Sequence, residues 1–223
     1  MTDFPQSTFV GKTFSESKFF RKLALSKKTL PFGNIEKIVW RNKLSARTLN
    51  VQDGARVKEI QVFHVILRED KPVDGILRAI DNAVAYQILF LVQLGEKFQA
   101  WIGYKEADAN GVSLTVKTYY KTDWTDFESL PIAVCGLMLD DVYANFISQI
   151  NENVKAAPET DLRARVNIAD DIAKLEREIE KLKSRLRKEP QFNKQIRLNA
   201  EIGNKNEEIR KLNQRISGEV KNE

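Results

Sequence analysis

The sequence predicts an α+β protein, a mixed sheet with packed helices, followed by a C-terminal antiparallel helical hairpin of the coiled-coil kind. Three observations carry that prediction. Between residues 35 and 120, short runs rich in β-branched and aromatic residues are separated by Asp53-Gly54, Gly95-Glu96-Lys97 and Asn110-Gly111, the punctuation of strands. Two stretches in or just after that region repeat their apolar residues at helical spacing instead: Val73, Ile76, Leu77, Ile80 and Val84, then Leu139, Val142, Tyr143, Phe146 and Ile150. From Ile168 onward, Ile168, Ile172, Leu175, Ile179, Leu182 and Leu186 step alternately by four and three, which gives a helix one narrow apolar seam that another helix must cover.

Taken in order, Thr13-Phe14-Ser15-Glu16 has the form of a capping box and opens a helix through Phe19, Phe20, Leu23 and Ala24 that stops before Pro31. Residues 35–40 form a short strand and 49–51 another fragment, and the Asp53-Gly54 turn leads into a core strand over 57–67. Pro72 suits the first position of a helix over 73–85. Residues 86–94 and 98–105 make a β-hairpin around Gly95, and 112–120 adds a strand. The helix over 139–150 packs across the sheet. Apolar density drops over 151–160, so the α+β domain spans 1–155 and the hairpin 159–218. Pro190 turns a first arm, 160–188, into a second through Leu198, Ile202, Ile209, Leu212 and Ile216, with Gly218 as the stop. The short connector favours antiparallel neighbours over self-association of two chains, which is the rival arrangement of the same seam.

The 223 residues and 42% apolar content suit one domain and an appendage. The longest apolar run, 88–94, is far short of a membrane span, and the first ten residues lack the apolar core of a signal peptide, so a cytoplasmic protein without membrane contact is expected. One cysteine, Cys135, leaves no internal disulfide, and a single histidine, His64, leaves no His/Cys metal cluster. The net charge of +5 is uneven: residues 12–58 hold twelve Lys/Arg against three acids, and 59–158 hold eight against fourteen. Lys27, Lys28, Arg41, Lys43, Arg47, Arg56 and Lys58 are therefore candidate contacts to DNA phosphates, if they converge.

Chemistry is harder to find. Asp53, Glu59 and Gln61 faintly resemble the nuclease arrangement in which a carboxylate and a Glu-x-Lys pair hold magnesium, because residues two apart on a strand share a face; here the lysine position is Gln61. The alternation of Ile60, Val62, His64 and Ile66 turns His64 toward the core as a hydrogen-bonded residue, and the apolar run 132–139 suggests that Cys135 is a buried, inert thiol. Trp40, Trp101, Trp124, Tyr104, Tyr119 and Tyr120, interleaved with Arg41, Lys43, Lys105, Lys117 and Lys121, suit core packing better than a base-stacking platform. Phosphate-binding glycine loops and the serine elbow are missing from the sequence, and no cofactor is called for.

The stretches Ile38-Val39-Trp40-Arg41-Asn42-Lys43-Leu44-Ser45, Glu59-Ile60-Gln61-Val62-Phe63, Ala79-Ile80-Asp81-Asn82-Ala83 and Thr122-Asp123-Trp124 resemble a prokaryotic family, the domain-of-unknown-function family forty-three ninety-one. The likeness includes Gln191-Phe192-Asn193-Lys194 and covers most of the chain from near Ser7. The resemblance implies no assigned catalytic residue. It implies a setting beside DNA methyltransferases and helicases in restriction-like or antiphage-defence neighbourhoods. A non-catalytic accessory subunit is expected, docking on a methyltransferase or helicase through Ile168, Ile172, Leu175, Ile179, Leu182 and Leu186 and touching DNA through its basic N-terminal third. A nuclease with a degenerate metal site and a stand-alone nucleic-acid binder are the alternatives.

Overall fold

The structure is a computed structural model, and it describes residues 4–14, 32–107, 114–151 and 162–217. The chain divides into two compact units, Met1–Asn151 and Glu152–Glu223. The expected helix after Thr13, the Asn110-Gly111 turn, the Gly218 stop, and Lys27 and Lys28 lie outside the described residues, as does nearly all of the 151–160 boundary.

The first unit is a six-stranded sheet in sequential order: β1 (Phe9–Phe14), β2 (Ile35–Ser45), β3 (Glu59–Leu67), β4 (Gln87–Leu94), β5 (Lys97–Ala107) and β6 (Leu114–Lys121). All neighbours are antiparallel except β3 and β4, which run parallel because the helix α2 (Asp74–Ala83) carries the chain back between them. That single crossover makes the sheet mixed. It also explains the near-continuous apolar character of β3 and β4, which lie at the centre and are covered on both faces.

One face of the sheet packs Phe63, Val65, Ile88, Phe90, Val92 and Trp101 against Val73, Ile76, Leu77 and Ile80 of the α2 segment, all nearly inaccessible to water. Burial of each such side chain contributes roughly 1.5–3 kcal/mol, so this layer supplies a large share of the stability of the unit. The helix α3 (Leu139–Ile150) packs on β5 and β6 with Leu139, Val142, Tyr143, Phe146, Ile147 and Ile150 buried. Asp140 and Asp141 stand in its first turn, where carboxylates are favoured by the helix dipole. Asp141 accepts from the backbone N–H groups of Leu137 and Met138, and Asp140 from that of Arg56, so the 52–57 loop is held against the start of this helix.

Two local expectations are corrected. Residues 49–51 are no strand: Ser45 and Thr48 form a reciprocal cap on the single turn α1 (Ala46–Leu49), and Asn50 closes it in the left-handed region at φ 55°. Cys135 is exposed, not buried. The segment around it runs over the surface, clipped to α3 by Asn145, which donates to the Cys135 carbonyl, and by Gln149, which holds both backbone groups of Ala133. Apolar composition alone could not distinguish such a tethered surface segment from one inside the core.

The second unit is a pair of long helices, α4 (Leu162–Leu186) and α5 (Phe192–Ser217), packed against each other. Ile168 and Ile172 meet Ile209 and Leu212 across the seam, and Lys205 of α5 reaches Glu178 of α4 at 2.6 Å. The antiparallel hairpin thus closes within one chain. No helix among the described residues is long and apolar enough to cross a membrane.

Candidate functional site

Three places gather the residues singled out by the sequence. The first lies on the α2 face of the sheet, at the start of β3. Glu59 and Gln61 share that face by strand alternation, and Lys43 is the cross-strand partner of Gln61. Lys43 Nζ stands 2.5 Å from Glu59 Oε1, and Gln61 Nε2 donates to Glu59 Oε2 at 2.9 Å. The cation missing from position 61 is therefore supplied by the neighbouring strand. Gln61 is 4% exposed and its Oε1 has no hydrogen-bond partner among the described residues, whereas the Lys43 and Glu59 side chains are 37% and 22% exposed. Asp53 sits apart in the exposed loop against α3, and among the described residues no three His, Cys, Asp or Glu side chains converge on a point.

The second place is a depression of about 200 Å³ on the opposite face, lined by Arg41, His64, Leu91, Phe98 and Phe127. Arg41 and Lys43 would share a face in a regular strand. A bulge between Trp40 and Asn42 breaks the alternation, and the two cations leave on opposite sides of the sheet. The Arg41 guanidinium lies 4.8 Å from the Phe127 ring centroid and 5.7 Å from that of Phe4, Phe127 meets Phe98 edge-on at 5.2 Å, and Phe98 leans on His64 at 5.7 Å. His64 Nε2 and Gln93 Oε1 are 2.7 Å apart. The aromatic residues among the candidates divide similarly: Trp101, Tyr104 and Tyr120 are buried in the core, while Trp124 is exposed.

Burial, reinforced by the charges of Arg41 and Lys37, lowers the His64 pKa below its ordinary 6.5 against the opposing pull of the Gln93 hydrogen bond. A histidine depressed in the folded state binds its proton more readily when unfolded. The contribution of His64 to stability is therefore fully present above pH 6.5 and is lost as pH falls from 6.5 through the depressed value. Imidazole resonances should titrate with a midpoint below 6.5, and His64→Phe should flatten the acid side of the thermal-unfolding profile in that window. A midpoint at or above 6.5 contradicts the assignment.

The remaining cationic candidates lie elsewhere in the first unit. Arg47, on α1, is exposed, as are Arg56 and Lys58 in the loop before β3, where Lys58 Nζ donates to the Gly54 carbonyl at 2.7 Å. With Arg41 and Lys43 on opposite faces, the described members of the basic set do not share one face of the sheet.

The third place is the hairpin. Ile168, Ile172, Leu175, Ile179 and Leu182 are buried and Leu186 is half-buried. Because Ile168 and Ile172 of α4 pack against Ile209 and Leu212 of α5 in the same chain, a partner of the closed hairpin meets its outer surfaces. There α5 exposes Phe192 at 72% and Ile196 at 51%, one helical turn apart.

A family model described as Domain of unknown function (DUF4391) matches residues 3–209. The chain belongs to this family. The match runs through the sheet unit and most of the hairpin, so in this family the helical pair is part of the protein's plan rather than an accidental extension. No curated protein and no solved structure matches the chain.

Sequence reasoning missed the most tightly enclosed polar group. Lys105 Nζ and Asp81 Oδ1 are 2.7 Å apart with both side chains fully buried; the ammonium also reaches the carbonyls of Asp81, Val84 and Tyr86, and the Tyr119 hydroxyl donates to Asp81 Oδ2. Burial raises the Asp81 pKa, with Lys105 and Tyr119 pulling it back, and lowers that of Lys105 against the pull of Asp81. The cluster closes the C-terminal end of α2 over the sheet. It is enclosed by the core and so has a structural role.

Proposed function

We propose that the chain is a non-catalytic accessory subunit of a DNA-modification or antiphage-defence assembly, with the hairpin as its means of attachment to a larger enzyme. The observation that carries the proposal is the hairpin itself, two helices of 25 and 26 residues whose seam is closed internally and which belong to a compact unit of their own, most of it within the family match. Such a unit is a poor place for chemistry and a good one for recognition, because helix surfaces offer a long, pre-ordered contact area. The defence setting is what the family resemblance implies. Opening the seam with Ile172→Asp should remove the co-purifying methyltransferase or helicase from tagged protein isolated from its native host. Retention of that protein by a demonstrably opened hairpin argues against the proposal.

One observation favours a second reading, a metal-dependent nuclease: Lys43 stands beside Glu59, where the sequence offered only Gln61. A carboxylate with an adjacent ammonium can orient a water near a metal-bound phosphate. If this reading holds, purified protein nicks plasmid with magnesium or manganese, and Glu59→Ala reduces cleavage at least a hundredfold, roughly the loss expected for a metal-site carboxylate. Cleavage unaffected by Glu59→Ala excludes this site.

A further inference from the structure

The charge of the hairpin is polarised along its length. Residues 162–180 and 201–217 together hold eight Lys/Arg and eight Asp/Glu, whereas residues 181–200, around the turn, hold seven Lys/Arg against Glu189 alone. All seven cations are exposed, among them Arg185, Arg187, Lys188, Lys194 and Arg197. The arms keep their balance through pairs such as Lys205 with Glu178 and Arg210 with Glu207. At the turn, Lys183 bonds Glu180 behind it, and Glu189 is occupied as a local cap: its carboxylate accepts from the Gln191 N–H at 3.0 Å and its carbonyl from Gln195 Nε2 at 2.7 Å. Backbone bonds from Lys188 to Arg185, Glu189 to Leu186 and Lys194 to Gln191 fix the path of the chain between the helices. The cations therefore sit on an ordered end, and the exposed Phe192 and Ile196 lie among them.

We propose that the hairpin turn, residues 181–197, is a nucleic-acid-binding element whose cations engage backbone phosphates, with Phe192 offering an aromatic face to bases. A duplex carries one negative charge per roughly 1.7 Å of axis, a density matched by several cations on one ordered end and wasted on one cation at a time. An exposed aromatic ring amid the cations suits a polyanion that also carries planar bases. The proposal does not depend on membership of an assembly, and it places the nucleic-acid contact at the opposite end of the sequence from the basic N-terminal third.

The test uses the full chain and fluorescence anisotropy with labelled duplex and single-stranded oligonucleotides across a salt series. Arg185→Glu/Arg187→Glu/Lys188→Glu should weaken binding at least tenfold and reduce the salt slope by about two to three, near 0.9 for each duplex phosphate no longer neutralised and 0.7 for each single-strand phosphate. Lys174→Glu/Lys211→Glu/Arg215→Glu makes the same change in net charge on the arms and should leave affinity within about twofold. The neutral variant Arg187→Gln/Lys188→Gln/Lys194→Gln, with helix content checked by circular dichroism, serves if charge reversal disturbs the turn. Preference for either oligonucleotide identifies the form bound. Equal losses in the turn and arm variants, no salt-dependent binding by the wild type, or equally tight binding to anionic vesicles overturns the proposal.

Discussion

Replacing Lys105 with methionine should destabilise the sheet unit by roughly 3–5 kcal/mol, the range for leaving one partner of a buried ion pair unpaired. Methionine keeps the length of the stem but leaves the Asp81 carboxylate with the Tyr119 hydroxyl as its remaining close donor, and strips the Asp81, Val84 and Tyr86 carbonyls of the ammonium they share. Because small domains have only about 5–15 kcal/mol in total, the loss should appear as a large fall in the urea midpoint. Adding Asp81→Asn to Lys105→Met removes the orphaned charge and should recover part of the loss, and the double-mutant cycle measures the coupling directly. The single variant losing less than about 1 kcal/mol would mean that water reaches the site and that the pair does not lock α2 to the sheet.

Lys105 also shows where the sequence stopped being legible. The strand itself was readable from Phe98, Trp101, Ile102 and Tyr104, and the turn before it from Gly95. Its partners were not: Lys105 keeps the alternation of Trp101 and Gly103, but the groups that hold its ammonium, Asp81 and the carbonyls at the end of α2, come together with it only in the folded chain. Tyr143 of α3 is a second partner of this kind, its hydroxyl donating to the Gly103 carbonyl and accepting from the Lys105 amide. The bulge at Arg41 undid the predicted basic surface, since a rule of alternation places Arg41 and Lys43 together and the irregular strand separates them. Contacts between strands were equally hidden. The sequence could place Glu59 and Gln61 on one face, but Lys43 joins them only through the pairing of β2 with β3. Helices fared better: the apolar spacing of Leu139, Val142, Tyr143, Phe146 and Ile150 coincides with α3, because a helix face depends only on residues within itself.

The hairpin was the most legible element, and Ile172→Asp should take it apart while sparing the sheet. Ile172 is 2% exposed and packs with Ile168 against Ile209 and Leu212. Truncating such a residue costs roughly 2–5 kcal/mol, and an aspartate in its place must either carry a charge into an apolar seam or hold a proton well above its ordinary pKa. Isolated helices in water are marginal, so α4 and α5 derive their order from the seam and should lose it together. The aromatic residues make the outcome separable. All three tryptophans and all five tyrosines lie at or before Tyr143, whereas the two long helices contain Phe192 as their only aromatic residue. Far-ultraviolet circular dichroism should therefore lose a large share of its helical signal in Ile172→Asp, while tryptophan fluorescence and near-ultraviolet dichroism stay close to wild type. Lowering the pH toward the raised carboxyl pKa should restore helix in this variant and not in Ile172→Lys. If helix content is unchanged at neutral pH, the seam is not what holds the two arms together. If the tryptophan signals collapse along with the helices, the two units do not fold independently, and loss of a co-purifying partner could no longer be assigned to the hairpin.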